Sequence, residues 1–236
     1  VFEKLVACGA PPEIMHLHKP HIGTDRLKAL IPALVTELEH RGGQCMFNTR
    51  LTDITIDRGR VCGIVAGETL KTDHLFLATG HSARDLYNLL YKKGIALKGK
   101  DFSVGVRIEH PQEIIDRLVW GARAGHKGLG PADYFITFQD RQTGRGVYSF
   151  CMCPGGYVIG CASQHDGLCT NGMSTFHRNS PWANAALVVG VRSDDCGSMD
   201  PLAGIIFQEA LEQHAFKAGG GGFHAPAQRA ADFVSE

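Results

Sequence analysis

The stretch Leu75–Asp85, LFLATGHSARD, decides how this chain is read. An apolar run, His74–Thr79, reads as a buried strand, enters a turn at Gly80 and leaves as a helix over Ala83–Lys93, with Ser82 placed to cap it through its hydroxyl. Gly80 has no Cβ, so it can take the positive φ that such a turn needs, and backbone there can lie close to a flat or phosphorylated ligand. A helix N-terminus beside the turn would add unpaired amide N–H groups. An ordinary strand-turn-helix connection would look the same over these residues alone.

Working upstream, Thr24 or Asp25 can cap a helix running to about His40, with Leu27, Leu30, Ile31, Leu34, Val35 and Leu38 on one apolar face. Pro32 inside that pattern predicts a kink or a later start. Arg41-Gly42-Gly43 ends the helix, and Cys45–Asn48 reads as a short strand. Alternation from Leu51 to Val65 predicts a hairpin turning at Asp57-Arg58-Gly59-Arg60, with Glu68–Lys71 as a third antiparallel strand.

From about Gly99 the chain becomes β-rich. Phe102–His110 alternates, with Val104, Val106 and Ile108 on one face and Gly105, Arg107 and Glu109 on the other. Asp133–Gln139, Val147–Cys151 and Tyr157–Cys161 read as strands. Pro201–Ala218 reads as a helix with Leu202, Ile205, Ile206, Leu211 and Phe216 inward, and Gly219–Gly222 as its C-cap and following loop. The loops 120–131 and 163–182 are long enough to be binding segments.

Composition narrows the partners. Lys plus Arg and Asp plus Glu number 24 each, without a basic stripe, which gives no electrostatic reason for nucleic acid. The apolar runs His74–Thr79 and Ala185–Val191 fall far short of the ~20 residues that span a bilayer, and the first residues carry no secretory pattern. Eight scattered cysteines, without a small-domain framework, read as reduced thiols of a cytoplasmic protein. His16, His18 and His21 gather near Cys8, but their spacing fits no zinc pattern, so no metal is expected. A small-molecule partner is the expectation that remains.

Taken in order, PHIGTDRL (20–27), ATGHSARD (78–85), FSVGVRIEHPQE (102–113), GRGVYSFCMCPGGYVI (144–159), TNGMS (170–174) and APAQR (225–229) closely resemble the bacterial FAD-dependent dehydrogenase-like proteins, the NAD(FAD)-utilizing dehydrogenases. The resemblance covers nearly the whole chain. It implies an α/β fold in which residues 1–98 form part of a doubly wound FAD/NAD(P)-binding domain with a β-meander and 99–236 form a β-rich mixed α+β substrate domain. It also implies FAD as cofactor, an oxidoreductase of undefined substrate, and NAD(P)H as a possible reductant. No GxGxxG occurs here. In the resembling family that fingerprint lies upstream and another glycine-rich flavin segment downstream, so the chain reads as an internal fragment whose missing N- and C-terminal parts complete the fold.

The resemblance places Thr24 and Arg26 near the cofactor, although capping alone explains a residue such as Thr24. In similar flavoproteins the backbone at Leu51 meets the adenine ring, while its side chain can equally be core. Ala78, Thr79, Gly80, His81 and Ser82 form the strongest cofactor segment, and a His in a turn can instead only satisfy that turn. On one strand face, Cys151 and Cys153 could exchange electrons beside a flavin, or could simply be small side chains near a ligand. Arg107, Glu109 and His110 could hold a carboxylate and move protons, but an Arg107–Glu109 ion pair would need no substrate. Asn171 and Arg178 are lesser candidates. Against the flavoenzyme stand a non-catalytic cofactor- or ligand-binding module and, more weakly, a flavin-bound tRNA-modifying or regulatory protein.

Overall fold

The computed structural model of the protein describes residues 1–235. It opens with helix α1 (Phe2–Ala7) and the longer α2 (Thr24–His40). α2 buries Leu30, which packs with Ala10 and Ile14. The predicted apolar face is only half covered: Leu27, Ile31 and Leu38 are exposed. Pro32 neither ends nor delays this helix. The missing N–H and the ring clash act on the preceding turn, yet helical backbone continues to His40. The capping expectation fails, because Gly23 occupies the N-cap with no side-chain cap, while Thr24 and Asp25 turn their oxygens to another segment.

The meander follows as expected. Strands β1 (Asp53–Asp57), β2 (Arg60–Ala66) and β3 (Glu68–Lys71) pair antiparallel in sequence order. Arg58 at φ 49° and Gly59 at φ 77° make the tight turn whose twist suits a two-residue hairpin. Helix α3 (Arg84–Lys92) lays Leu86 and Leu90 on Ile54.

Two expected strands are not strands. Cys45–Asn48 is irregular, with Asn48 at positive φ, and His74–Thr79 is irregular and without a strand partner. No backbone hydrogen bond engages Leu75–Gly80 among the described residues, and Phe76 is 91% exposed. An apolar run pairs only if a neighbouring strand supplies complementary N–H and C=O groups. None of the strands here does so. All observed pairing is antiparallel, and the mixed α/β class stands without a parallel, doubly wound sheet.

The second half is built on strands β4 (Phe102–Pro111), β5 (Thr137–Gln139), β6 (Gly146–Cys153) and β9 (Trp182–Val191), in the order β4-β9-β6-β5. Between them come helix α4 (Gln112–Trp120) and the hairpin β7 (Gly156–Cys161) and β8 (Cys169–Ser174). β5 is shorter than expected, because upstream of Thr137 the ladder is replaced by contacts of Ile136 with Ser149. β8 lies inside the stretch 163–182 that the sequence marks as a loop long enough to be a binding segment. Val106 is 54% exposed, so the apolar face of β4 is not covered along its length. The last elements are α5 (Ala203–Ala218) and α6 (Ala230–Ser235). α5 buries Ala203 and Glu212 and leaves Ile206 and Leu211 outward, against the inward side expected for them.

The accessible surface is 16548 Å². A compact monomer of 25.6 kDa has about 10,400 Å². The excess is contributed in part by large apolar side chains such as Phe47, Phe76, Phe135, Leu118 and Met199, each more than 70% exposed. Among the described residues no helix is long and apolar enough to cross a membrane.

Candidate functional site

Ala78, Thr79, Gly80, His81 and Ser82 are all exposed. Gly80 has φ +70°, and nothing lies within 4 Å of where a Cβ would stand. Open space faces this backbone, and the amides and carbonyls of Ala78, Thr79 and Gly80 make no backbone hydrogen bond, while the Ser82 carbonyl accepts from the Arg84 N–H at 2.9 Å. Ser82 does not cap α3; the N-cap is Ala83, without a side-chain bond. The Ser82 hydroxyl instead meets the Ser163 hydroxyl at 3.0 Å, with His81 Nε2 3.5 Å from the same oxygen. An exposed glycine turn with free amides and hydroxyl donors fits a flat or phosphorylated group such as FAD.

Thr24 and Arg26 lie elsewhere, against the end of β8. Thr24 Oγ1 donates to the Ser174 carbonyl at 3.2 Å, and Phe176 N–H donates to Asp25 at 2.8 Å, a bond that is the main cause of the lowered Asp25 pKa. The Arg26 guanidinium stands 3.4 Å from the centroid of the Phe176 ring. Gly23, at φ +87°, is needed because a Cβ there would stand 2.6 Å from the Phe176 Cα. Leu51 packs its side chain beside Ile54, Leu86 and Leu90.

The β7–β8 hairpin therefore touches both predicted cofactor segments, at opposite ends. Gly156 pairs with Ser174 near Thr24, and Cys161 pairs with Cys169 next to Ser163. Five residue steps separate the two ends, about 17 Å along a strand.

A polar cluster lies where this hairpin covers the large sheet. Asn184 is fully buried on β9 opposite Glu109 and Cys153. Its Oδ1 accepts a hydrogen bond from Arg107, while its Nδ2 has no partner. Arg107 also reaches the Cys151 carbonyl at 3.5 Å. Gly172 seals the cluster: a Cβ there would stand 2.8 Å from Cys153 Sγ and collide with Arg107 and Asn184.

The expected Arg107–Glu109 ion pair does not form. Glu109 is exposed and accepts from the Val158 N–H at 3.3 Å, and Arg107 turns to the buried amide because that oxygen would otherwise be unsatisfied. His110 belongs to the other face by strand alternation. There its Nε2 meets Tyr134 Oη at 2.9 Å, its Nδ1 is unpartnered, and burial lowers its pKa.

The two cysteines do not share a face by simple alternation. A β-bulge sets Cys151 and Met152 opposite Ala185. Cys151, at φ 47°, is exposed, whereas Cys153 is half-buried and donates to the Cys151 carbonyl at 3.4 Å. Burial, then Cys151, push the Cys153 thiol up and favour its neutral form. Asn171 is exposed and bonds the Gly172 N–H; Arg178 buries an unpartnered Nε beside the Pro154-Gly155 turn. Among the described residues no three His, Cys, Asp or Glu side chains gather as a metal site.

Sequence reasoning missed Asn184, the Arg84–Glu212 pair, Gln112 and the Cys161–Cys169 pair. Gln112 ties Ala132, Asp116 and Gly155 together through three hydrogen bonds. A usable signal existed for the cysteines alone: they bracket Asp166-Gly167 as strand ends bracket a turn. The others are single polar residues whose partners, Asp116 of Gln112 apart, are 20 to 128 positions away.

Residues 101–236 match the family described as FAD-dependent protein, C-terminal domain-like. The whole chain is 44% identical over 237 aligned residues to an uncharacterized protein of Clostridium beijerinckii, of which it spans 44% of the length. A match of that extent, over more than half of the chain, leads to one statement of kinship: this chain belongs to the FAD-dependent protein, C-terminal domain-like family.

Proposed function

We propose that the chain is the central part of an FAD-dependent oxidoreductase acting on a small molecule, with flavin against Ala78–Ser82. The observation that carries the reading is the open, unpaired backbone at Gly80, in a chain of an FAD-dependent family. When bound, FAD supplies the electron or hydride acceptor. The chain's residues supply position: backbone at Gly80 admits close approach, and Thr79 and Ser82 offer hydroxyl donors.

The division into 1–98 and 99–236 belongs to the same reading. It is supported by the change to β-rich structure at β4 and by a family match that starts at residue 101. So does a doubly wound sheet completed by the rest of the polypeptide. In support stand an apolar run, Leu75–Thr79, with no ladder, an exposed surface about 1.6 times that of a compact monomer, and a relative more than twice as long. Eight free cysteines support a reducing, cytoplasmic setting.

The competing reading, a ligand-binding module without redox chemistry, keeps the same open Gly80 turn, which needs no electron transfer to hold a ligand. Absorption spectra of the full-length protein before and after anaerobic dithionite separate the two. Flavin bands that bleach support the oxidoreductase, and their loss in Gly80→Val with unchanged circular dichroism would place the flavin at the turn. Full-length protein that takes up no flavin, even after incubation with FAD, sinks the proposal.

A further inference from the structure

Cys161 and Cys169 face each other as the last cross-strand pair of the β7–β8 hairpin, with sulfur atoms 3.3 Å apart. Directly opposed residues of an antiparallel pair have Cα atoms about 4.5–5.5 Å apart, inside the range that a disulfide bridges. Both are half-buried free thiols. The seven residues between them form the loop that carries Ser163 to the His81-Ser82 turn. The same loop is fixed on α5 at two further points: Gln164 donates to Glu209 at 2.6 Å, and the Leu168 N–H donates to the Glu212 carbonyl at 3.0 Å.

We propose that Cys161 and Cys169 are a reversible dithiol–disulfide site that clamps the loop 162–168 against the His81-Ser82 turn. The oxidant class is a small-molecule disulfide. The Cys161 thiolate attacks one sulfur of that disulfide, the S–S bond breaks, and one small thiol leaves with a proton. Cys169 then gives up its proton as its sulfur attacks the Cys161 sulfur of the mixed disulfide, and the second small thiol leaves with that proton. Two S–H bonds are lost, one S–S bond forms, and the two electrons reside in the two released thiols.

Geometry favours this pair over the conspicuous CxC. The bulge at Cys151–Met152 exposes Cys151 and half-buries Cys153, and a cross-link two positions apart strains disulfide geometry. Across the hairpin the two cysteines stand directly opposed, at a spacing that a disulfide bridges. Closing so short a loop restrains 162–168 in the native state and, through Ser163, reaches the turn.

The inference concerns the loop and does not require that the turn hold flavin. Its test is oxidation of the native chain with oxidised glutathione, followed by alkylation, proteolysis and mass spectrometry, with amide exchange measured in parallel. The expected product is a dithiothreitol-reversible link between the Cys161 and Cys169 peptides, with amide exchange in 162–168 slowed on the order of tenfold. Cys169→Ser should retain a glutathione adduct on Cys161 that the native chain resolves. Recovery of Cys161 and Cys169 as free thiols while Cys151 carries glutathione would overturn the site. A formed link that leaves exchange of the loop unchanged would overturn the clamp.

Discussion

Arg84 Nη2 and Glu212 Oε1 meet at 2.7 Å with Arg84 3% and Glu212 9% exposed, so a buried ion pair joins helix α3 of the first hundred residues to helix α5 of the last forty. Glu209 adds a second carboxylate 3.6 Å from Arg84 Nη1. Neither helix advertises the other in sequence.

Removing one partner leaves a buried charge without compensation. Arg84→Ala is expected to destabilise by about 3–5 kcal/mol, and Arg84→Leu with Glu212→Leu by clearly less than the single change. Urea unfolding of the two variants checks this; equal losses would show that the pair is not desolvated.

Gly172 admits no side chain. In Gly172→Ala the new methyl group meets Arg107, Asn184 and Cys153, and overpacking of this kind costs about 1–3 kcal/mol. Arg107→Met removes the donor to the buried Asn184 oxygen, at about 1–3 kcal/mol for the orphaned group. Because both changes act in one cluster, their sum should exceed the loss in the double variant. Thermal or urea denaturation of the three proteins gives the comparison.

His110 has a pKa lowered by burial, so the unfolded chain binds more protons at this site in the window below the ordinary value near 6.5. Its stabilising contribution is present above about pH 6.5 and is lost as pH falls through that window towards the folded pKa. His110→Gln should flatten this part of the stability-pH curve. An unchanged slope would assign the acid sensitivity to other groups.

Thiol reactivity should follow environment. In the reduced pair, burial first, then Cys161, push the Cys169 thiol up to about 12 and favour its protonated form. Exposed Cys151 is expected to take up iodoacetamide well before Cys169. A time course by peptide mass spectrometry reads the order directly, and faster labelling of Cys169 would contradict the burial of its sulfur.

What the sequence determined by itself was local. Turn residues at Arg58-Gly59, alternation along Phe102–His110 and 3.6-residue periodicity from Thr24 to His40 gave the meander, the long strand and the long helix nearly to the residue, because these follow from backbone preference and from which side of an element meets water. The Gly80 turn was legible for the same reason. Tertiary structure decided the rest. Whether Leu75–Thr79 becomes a strand depends on a neighbour to pair with; whether Thr24, Asp25 and Ser82 cap their helices depends on rival partners at Ser174, Phe176 and Ser163; whether Arg107 pairs with Glu109 depends on the buried Asn184. In each case the outcome rests on partners that only folding brings near, and at Arg107 the choice fell to the contact that satisfies a buried oxygen.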